Sequence, residues 1–158
     1  MTNTKKYSLT QEGLQAIKDE LKKLIDVDRP ANIKALQDAK SQGDLSENAD
    51  YDAARDEQGR IESRINELNE IIKNHVIIEA DTTSKDVSLG KYVTIEFLGL
   101  GKVETYQIVG TLEADPFNHK VSNESPLGVA ISGHIAGDVV TVVTEKGKEF
   151  KVEIKEVK

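Results

Sequence analysis

Apolar residues in the first part of the chain recur at helical spacing. Leu14, Ile17, Leu21 and Leu24 step by three and four, which places them on one side of a helix. Thr10 reads as its N-cap, with Leu9 and Leu14 placed to form a hydrophobic staple, so the helix is expected to begin near Gln11. Pro30 breaks the pattern, because a proline inside a helix removes one backbone hydrogen bond and kinks it. Ile33, Leu36 and Ala39 resume the stripe in a shifted phase, and Gly43 is suited to the left-handed conformation that closes a helix. A second seam runs through Glu47, Tyr51, Ala54, Gln58, Ile61, Ile65, Leu68 and Ile72 in alternating steps of four and three. Two helices of about 30 residues joined by a short turn must run antiparallel, which predicts a coiled-coil hairpin about 45 Å long at 1.5 Å per residue. The turn at Gly43 to Ser46 is its far tip.

The pattern changes near residue 76. The first 75 residues hold three of the 11 Gly, whereas the remainder holds eight, together with β-branched runs such as YVTIEF, ETYQIVG and DVVTVVT. Strands are predicted at Lys91 to Phe97, Thr105 to Val109, Val139 to Thr144 and Phe150 to Glu156, with weaker ones at Val76 to Ile78 and Lys120 to Ser122. Lys146-Gly147-Lys148 and the Gly pair of LGLGK read as hairpin turns. Ser125-Pro126 marks the start of a short helix reaching about Ile131. Antiparallel strands with one short helix give an α+β fold, with residues 1–78 as the helical hairpin and 79–158 as a small strand-rich domain.

Composition narrows the chemistry. The absence of Cys excludes disulfides, thiol catalysis and zinc-thiolate sites. The absence of an N-terminal apolar region and of a long apolar run predicts a cytoplasmic protein without membrane contact. The net charge of −7 has the wrong sign for wrapping duplex phosphates, so any meeting with nucleic acid is local or runs through a partner.

The predicted tip is strongly acidic: Asp44, Glu47, Asp50, Asp52, Asp56 and Glu57 stand against the single base Arg55 between residues 44 and 57. Asp50, Asp52, Asp56 and Glu57 read as a solvated face near a helix N-terminus, with Asp44 or Ser46 as the cap. Asp44 and Glu47, three residues apart at the end of a long hairpin, are placed for both carboxylates to converge on one point. Two readings of this pair stand at this level: a structural cap, or an incomplete metal site completed by a partner. A calcium loop starting at Asp44 fails, since its sixth position is Ala49 rather than Gly and its twelfth is Arg55 rather than Glu. An independent hydrolase fails too, because two carboxylates are too few to hold Mg²⁺. Tyr51 is a packing residue or a stacking surface for a base. Lys40 and Arg55 are ordinary helix cations or phosphate contacts. His75, His119 and His134 lie far apart and form no metal triad.

The segment GDLSENADYDAARDEQGRIESRI, starting at Gly43, closely resembles the tip and second helix of the GreA/GreB transcript cleavage factors of bacterial RNA polymerase. The resemblance extends to LTQEG at Leu9, Arg29-Pro30, TYQIVG, EAD at Glu113, SPLGVAISG at Ser125 and GDVV at Gly137, nearly the whole chain. It implies a coiled-coil hairpin followed by a globular domain similar to FK506-binding proteins. It also implies that the hairpin enters the polymerase secondary channel. There, Asp44 and Glu47 would help hold Mg²⁺ at the polymerase's active centre, which cleaves backtracked nascent RNA at its 3′ end. On this resemblance Lys40, Tyr51 and Arg55 are expected near the RNA 3′ end, the factor is expected to be no enzyme by itself, and a monomer is expected. Lys40 stands where many relatives carry Arg and loses bidentate phosphate geometry. Gly128 stands where they often carry a larger residue, which puts the length of the short helix in question. Two rivals remain: a channel binder that inhibits without stimulating cleavage, for which the Asp44/Glu47 pair is unneeded, and a prolyl isomerase or chaperone. For the latter, Phe97, Tyr106 and Phe117 do not make an aromatic-lined proline pocket.

Overall fold

The computed structural model describes residues 5–43 and 47–158, which fold as an α+β protein of two compact units. Residues 12–75 belong to the first unit, while residues 7–11 and 76–158 form the second.

The first unit is a helical hairpin. Its first arm comprises α1 (Gln11–Lys23), a π-helical turn (Leu24–Asp28) and α2 (Arg29–Ser41), and its second arm is the unbroken α3 (Ala49–Lys73). The π turn is the local consequence of Pro30. Pro30 has no N–H for the carbonyl of Asp26 and its ring crowds that carbonyl, so the backbone widens and Arg29 donates to the carbonyl of Leu24 five residues back. The arm therefore continues through Pro30, with one residue inserted into its helical phase.

That insertion corrects the expected stripe. Leu24, Asn32 and Ala39 are buried, Leu36 is half-buried, and Ile33 is exposed. On α3 the buried positions are Ala54, Ile61, Ile65, Leu68 and Ile71, so the seam ends on Ile71 rather than Ile72, and Glu47 precedes the helix instead of opening its seam. A straight helix drifts by about 20° per heptad against a strict repeat, which moves the last contact by one residue.

Polar groups fasten the arms. The buried Asn32 donates from Nδ2 to the carbonyl of Ala54 at 2.9 Å. Arg29 grips Glu62 through two bonds of 2.8 and 2.9 Å, and Arg64 grips Glu20 at 2.6 and 3.0 Å. Fork-to-fork pairing fixes the register of the arms more than it adds stability, since exposed pairs contribute about 0.2–1 kcal/mol each.

The second unit carries a five-stranded sheet in the order β5-β4-β3-β7-β6, made of β3 (Tyr92–Phe97), β4 (Lys102–Val109), β5 (Lys120–Ser122), β6 (Val139–Val143) and β7 (Glu149–Val157). The hairpin turns at LGLGK and Lys146 to Lys148 are present as expected, joining the antiparallel pairs β3/β4 and β6/β7. The four longer strands are antiparallel as expected, and the short β5 differs in running parallel to β4. After β4 the chain makes two short 3₁₀ turns, Thr111–Glu113 and Pro116–Asn118, and so returns in its original direction. Alternate side chains of the sheet, Val93, Ile95, Ile108, Val140, Val142, Val152 and Ile154, form the core with Val87 and Ile131. Ile131 ends α4 (Pro126–Ile131), whose N-cap Ser125 accepts from the N–H of Gly128. The helix has the expected length, and Gly128 permits a close approach, since a Cβ there would stand 2.0 Å from the carbonyl oxygen of Ser122.

A short strand that the sequence pattern does not announce, β1 (Tyr7–Leu9), pairs with β2 (His75–Ile77). Leu9 is fully buried and accepts a hydrogen bond from the N–H of Ile78. Thr10 donates its N–H and hydroxyl to the Glu113 carboxylate, at 2.9 and 2.5 Å. These contacts place residues 7–11 with the strand-rich unit, although the sequence pattern assigns them to the helical one.

The Asn32 contact yields a prediction. Asn32→Asp keeps the shape but sets a carboxylate against the Ala54 carbonyl, and should cost about 2 kcal/mol at neutral pH. Burial raises the folded-state pKa of the new carboxyl above its unfolded value of about 3.9. The folded form then holds the proton to higher pH, so the loss should shrink as pH falls towards the unfolded pKa. Thermal melts at pH 7 and pH 4.5 measure this, and a pH-independent deficit contradicts it.

Candidate functional site

The acidic end of the hairpin is built around Asn48. This residue has extended dihedrals (φ −94°, ψ 97°), and its Oδ1 accepts from the N–H of Tyr51 at 3.1 Å, capping α3. Its Nδ2 donates to the carbonyl of Ala39 at 2.7 Å, in the last turn of α2. One amide thus satisfies an orphan donor of α3 and adds a second, shorter bond to the Ala39 carbonyl, which also accepts the N–H of Gln42 at 3.3 Å. The expected caps, Asp44 and Ser46, lie outside the described residues, and the cap that the structure shows is Asn48. On the other side of the turn, Gly43 adopts φ 135°, which glycine reaches without strain.

The Asn48–Ala39 bond fixes where the flanking side chains stand. Lys40 and Glu47 are each one residue outward from it, so both sit at the turning end of the hairpin, and both are exposed. Glu47 shares a shallow depression with Gln42, Asn48, Ala49 and Asp50. Among the described residues no hydrogen bond or ion pair engages its carboxylate, which leaves its oxygens open to a cation. Asp44 lies outside the described residues. Tyr51, in the first turn of α3, is half-buried. Arg55 is exposed and stands about 10 Å along α3 from the cap at 1.5 Å per residue, its Nη1 donating to Gln58 at 3.2 Å.

The remaining acids behave as a helix face. Asp50 and Asp52 occupy the first turn of α3, where the helix dipole favours negative charge. Glu57 is bound by Arg60 at 2.6 and 2.8 Å, and that guanidinium holds its carboxyl below the usual range. Among the described residues no three acids, histidines or cysteines are placed to hold a metal together. The exposed, hard carboxylate oxygens of Glu47 suit Mg²⁺, but only as part of a larger ligand set.

The histidines lie in three separate settings. His75 bonds the carbonyl of Ile72, His119 stacks on Tyr106, and His134 pairs with Asp138. Asn48 is the residue that sequence reasoning passed over. The signal was present, in an Asn standing directly before a helical run with two acids in its first turn.

Residues 7–77 match the family of transcription elongation factor N-terminal domains, and residues 82–158 match the C-terminal domain of the GreA/GreB transcription elongation factors. The chain belongs to the GreA/GreB family. Transcription elongation factor GreA of Acholeplasma laidlawii is 52% identical over 155 residues, covering 98% of each chain. That of Geobacillus kaustophilus is 48% identical over the full length of both. Among solved structures, the GreA factor homolog 1 (Gfh1) protein of Thermus thermophilus is 28% identical, covers 98% of this chain and 99% of its own, and superposes with a TM-score of 0.44. The two GreA/GreB regions meet between residues 77 and 82, next to the division of the fold at Val76. No helix among the described residues is long and apolar enough to cross a membrane.

The double role of Asn48 makes a prediction that separates its two bonds. Asn48→Ser keeps an acceptor for the Tyr51 N–H but is too short to reach Ala39, whereas Asn48→Ala loses both contacts. The alanine variant should lose about 1–2 kcal/mol and the serine variant less than half of that. In both variants, amide exchange should quicken in the last turn of α2, while at Tyr51 it should quicken in the alanine variant alone. Equal protection in the two variants contradicts the clasp.

Proposed function

We propose that this chain acts on RNA polymerase as a transcript cleavage factor. Its hairpin enters the secondary channel, and Asp44 and Glu47 contribute carboxylate oxygens to Mg²⁺ at the polymerase's own active centre. The observation that supports this reading is the open carboxylate of Glu47, held at the turning end of the hairpin by the Asn48 clasp, in a chain of the GreA/GreB family. Mg²⁺ held between such oxygens and the polymerase lowers the pKa of a bound water and neutralises charge on the phosphate being cleaved. The chain itself supplies position and charge. Asp44 and Glu47 would supply two of the oxygens that hold the ion, the others coming from the polymerase. Lys40 and Arg55 offer cationic groups to the backbone of the nascent RNA 3′ end, and the Tyr51 ring offers a face on which a base can stack. The strand-rich unit docks at the channel rim. The factor works as a cofactor protein of the cytoplasmic polymerase, and the bond that breaks is in the RNA of a backtracked complex.

The test is a cleavage assay on stalled, backtracked elongation complexes carrying end-labelled RNA. Asp44→Asn should abolish stimulated cleavage while leaving polymerase binding and the melting temperature nearly unchanged, because asparagine matches aspartate in shape and in capping preference, and a whole cap is worth only about 1 kcal/mol. Glu47→Gln should be impaired and partly rescued by raised Mg²⁺, since mass action offsets a lost ligand. Parental cleavage by the Asp44→Asn variant at near-physiological Mg²⁺ would overturn the metal-ligand role.

A further inference from the structure

Along one side of the helical hairpin, α2 and α3 leave an open groove of about 630 Å³. Its floor is apolar and small, with Ala31 and Ala35 of α2 and Ala53 of α3 laying methyl groups along it. Its walls are acidic: Asp28, Asp38, Asp50 and Glu57 line it, and no lysine or arginine does.

The Asn48–Ala39 and Asn32–Ala54 bonds fix the level of the two arms. Asp38 therefore stands across from Asp50 near the turn, and Asp28 lies within one helical turn of the level of Glu57 at the other end. Facing carboxylates repel unless a cation lies between them. Asp28 has Lys23 at 3.9 Å and Glu57 is held by Arg60, but among the described residues no cation pairs with Asp38 or Asp50.

A solvated acidic face needs no ligand, and a second feature distinguishes this groove. Asn32 lines it and is only 7% exposed. Its Nδ2 is spent on the Ala54 carbonyl, and its Oδ1 takes no hydrogen bond among the described residues. That oxygen is not sealed in, because the one sealed and unpartnered side-chain atom among the described residues is Ser88 Oγ. It is therefore reached through the groove that Asn32 lines, and an amide oxygen in so buried a side chain calls for a donor.

We infer that the groove binds a linear polyamine. Its terminal ammonium groups lie at the two carboxylate ends, an inner amine donates to Asn32 Oδ1, and the methylene segments cover the alanine floor. Asp28 and Asp38 are ten residues apart in the chain, about 15 Å along the arm. An extended tetraamine with three-, four- and three-carbon spacers spans about 16 Å, so one molecule reaches both ends. A single metal ion does not fit, since among the described residues no three acids converge on one point. One lysine or arginine of another protein would meet only one end. The inference draws on the groove alone and stands or falls independently of the tip chemistry.

Isothermal titration of the full chain with spermine tests it, at about 0.15 M ionic strength, where diffuse attraction is screened beyond about 8 Å. The parent should saturate at one spermine per chain. The double variant with Asp38→Asn and Asp50→Asn should bind at least tenfold more weakly. A second double variant, Asp52→Asn with Asp56→Asn, removes the same charge from exposed positions outside the groove and should bind within twofold of the parent. Each variant loses one acid from the first turn of α3, so any effect on the helix is matched, and thermal melts check that both are folded. Putrescine, whose two amines cannot reach both ends, should bind at least tenfold more weakly than spermine. Equal weakening in the two double variants would reduce binding to general attraction by an acidic chain and overturn the inference. A parent that does not saturate at one equivalent overturns it as well.

Discussion

The amide of Asn48 holds two helix ends together at the place where the chain turns back. Each helix end has backbone groups with no partner of their own, and a short turn between long helices has few side chains with which to satisfy them. Asn48 serves both ends, accepting from Tyr51 and donating to Ala39, and so settles where α2 stops and α3 starts. Further along, Asn32 repeats the device by donating to Ala54 from within the buried seam. Aliphatic packing through Ile61, Ile65 and Leu68 makes the hairpin stable, but apolar side chains slide past one another at little cost. The two asparagines, with Arg29 on Glu62 and Arg64 on Glu20, set the register. Register matters because the proposed chemistry depends on which residues occupy the turn.

Much of this was legible in the sequence, and the failures have specific causes. The seam of α3 was read correctly from Ala54 to Leu68, because an unbroken helix obeys its period; only the last contact slipped, from Ile72 to Ile71. The first arm was harder. Pro30 announced a disturbance, but proline at that place is compatible with a kink, a break or a π turn, and only the last inserts a residue and leaves Ile33 exposed. In the strand-rich unit, the hairpins and the Ser125-capped helix followed from their turn residues. The parallel β5 did not, because its direction is set by two 3₁₀ turns with no periodic signal. Buried Lys91, whose ammonium donates to the carbonyls of Ser84 and Asp86 and to the Ser84 hydroxyl, was equally invisible, since its partners are uncharged groups of a loop.

The candidate site divides in the same way. Acidity of the turn was evident from composition, and the exposed position of Glu47 agrees with it. The part that positions Glu47 was not weighed, because Asn48 competed with Asp44 and Ser46 for the cap, and preference ranks among these residue types are nearly equal. A carboxylate at the end of a hairpin with too few neighbours to bind a metal is poor as a site and good as a contribution to one. That is why the functional reading places the chemistry in a partner and assigns this chain the delivery of two oxygens.

Delivery implies reach, and reach can be altered without touching the acidic turn. Removing one heptad from each arm, Leu14 to Glu20 with Leu68 to Asn74, shortens the hairpin by about 10 Å and keeps Asp44, Glu47 and the Asn48 clasp. Coordination of Mg²⁺ needs oxygens at about 2.1 Å, so carboxylates stopping that far short are useless. The decisive measurement is RNA cleavage in backtracked elongation complexes by this shortened protein, after melting shows it folded and competition with the parent shows it bound to polymerase. The account predicts no stimulated cleavage. Cleavage at the parent rate would mean that the carboxylates act elsewhere than in a deep active centre, contradicting the delivery mechanism.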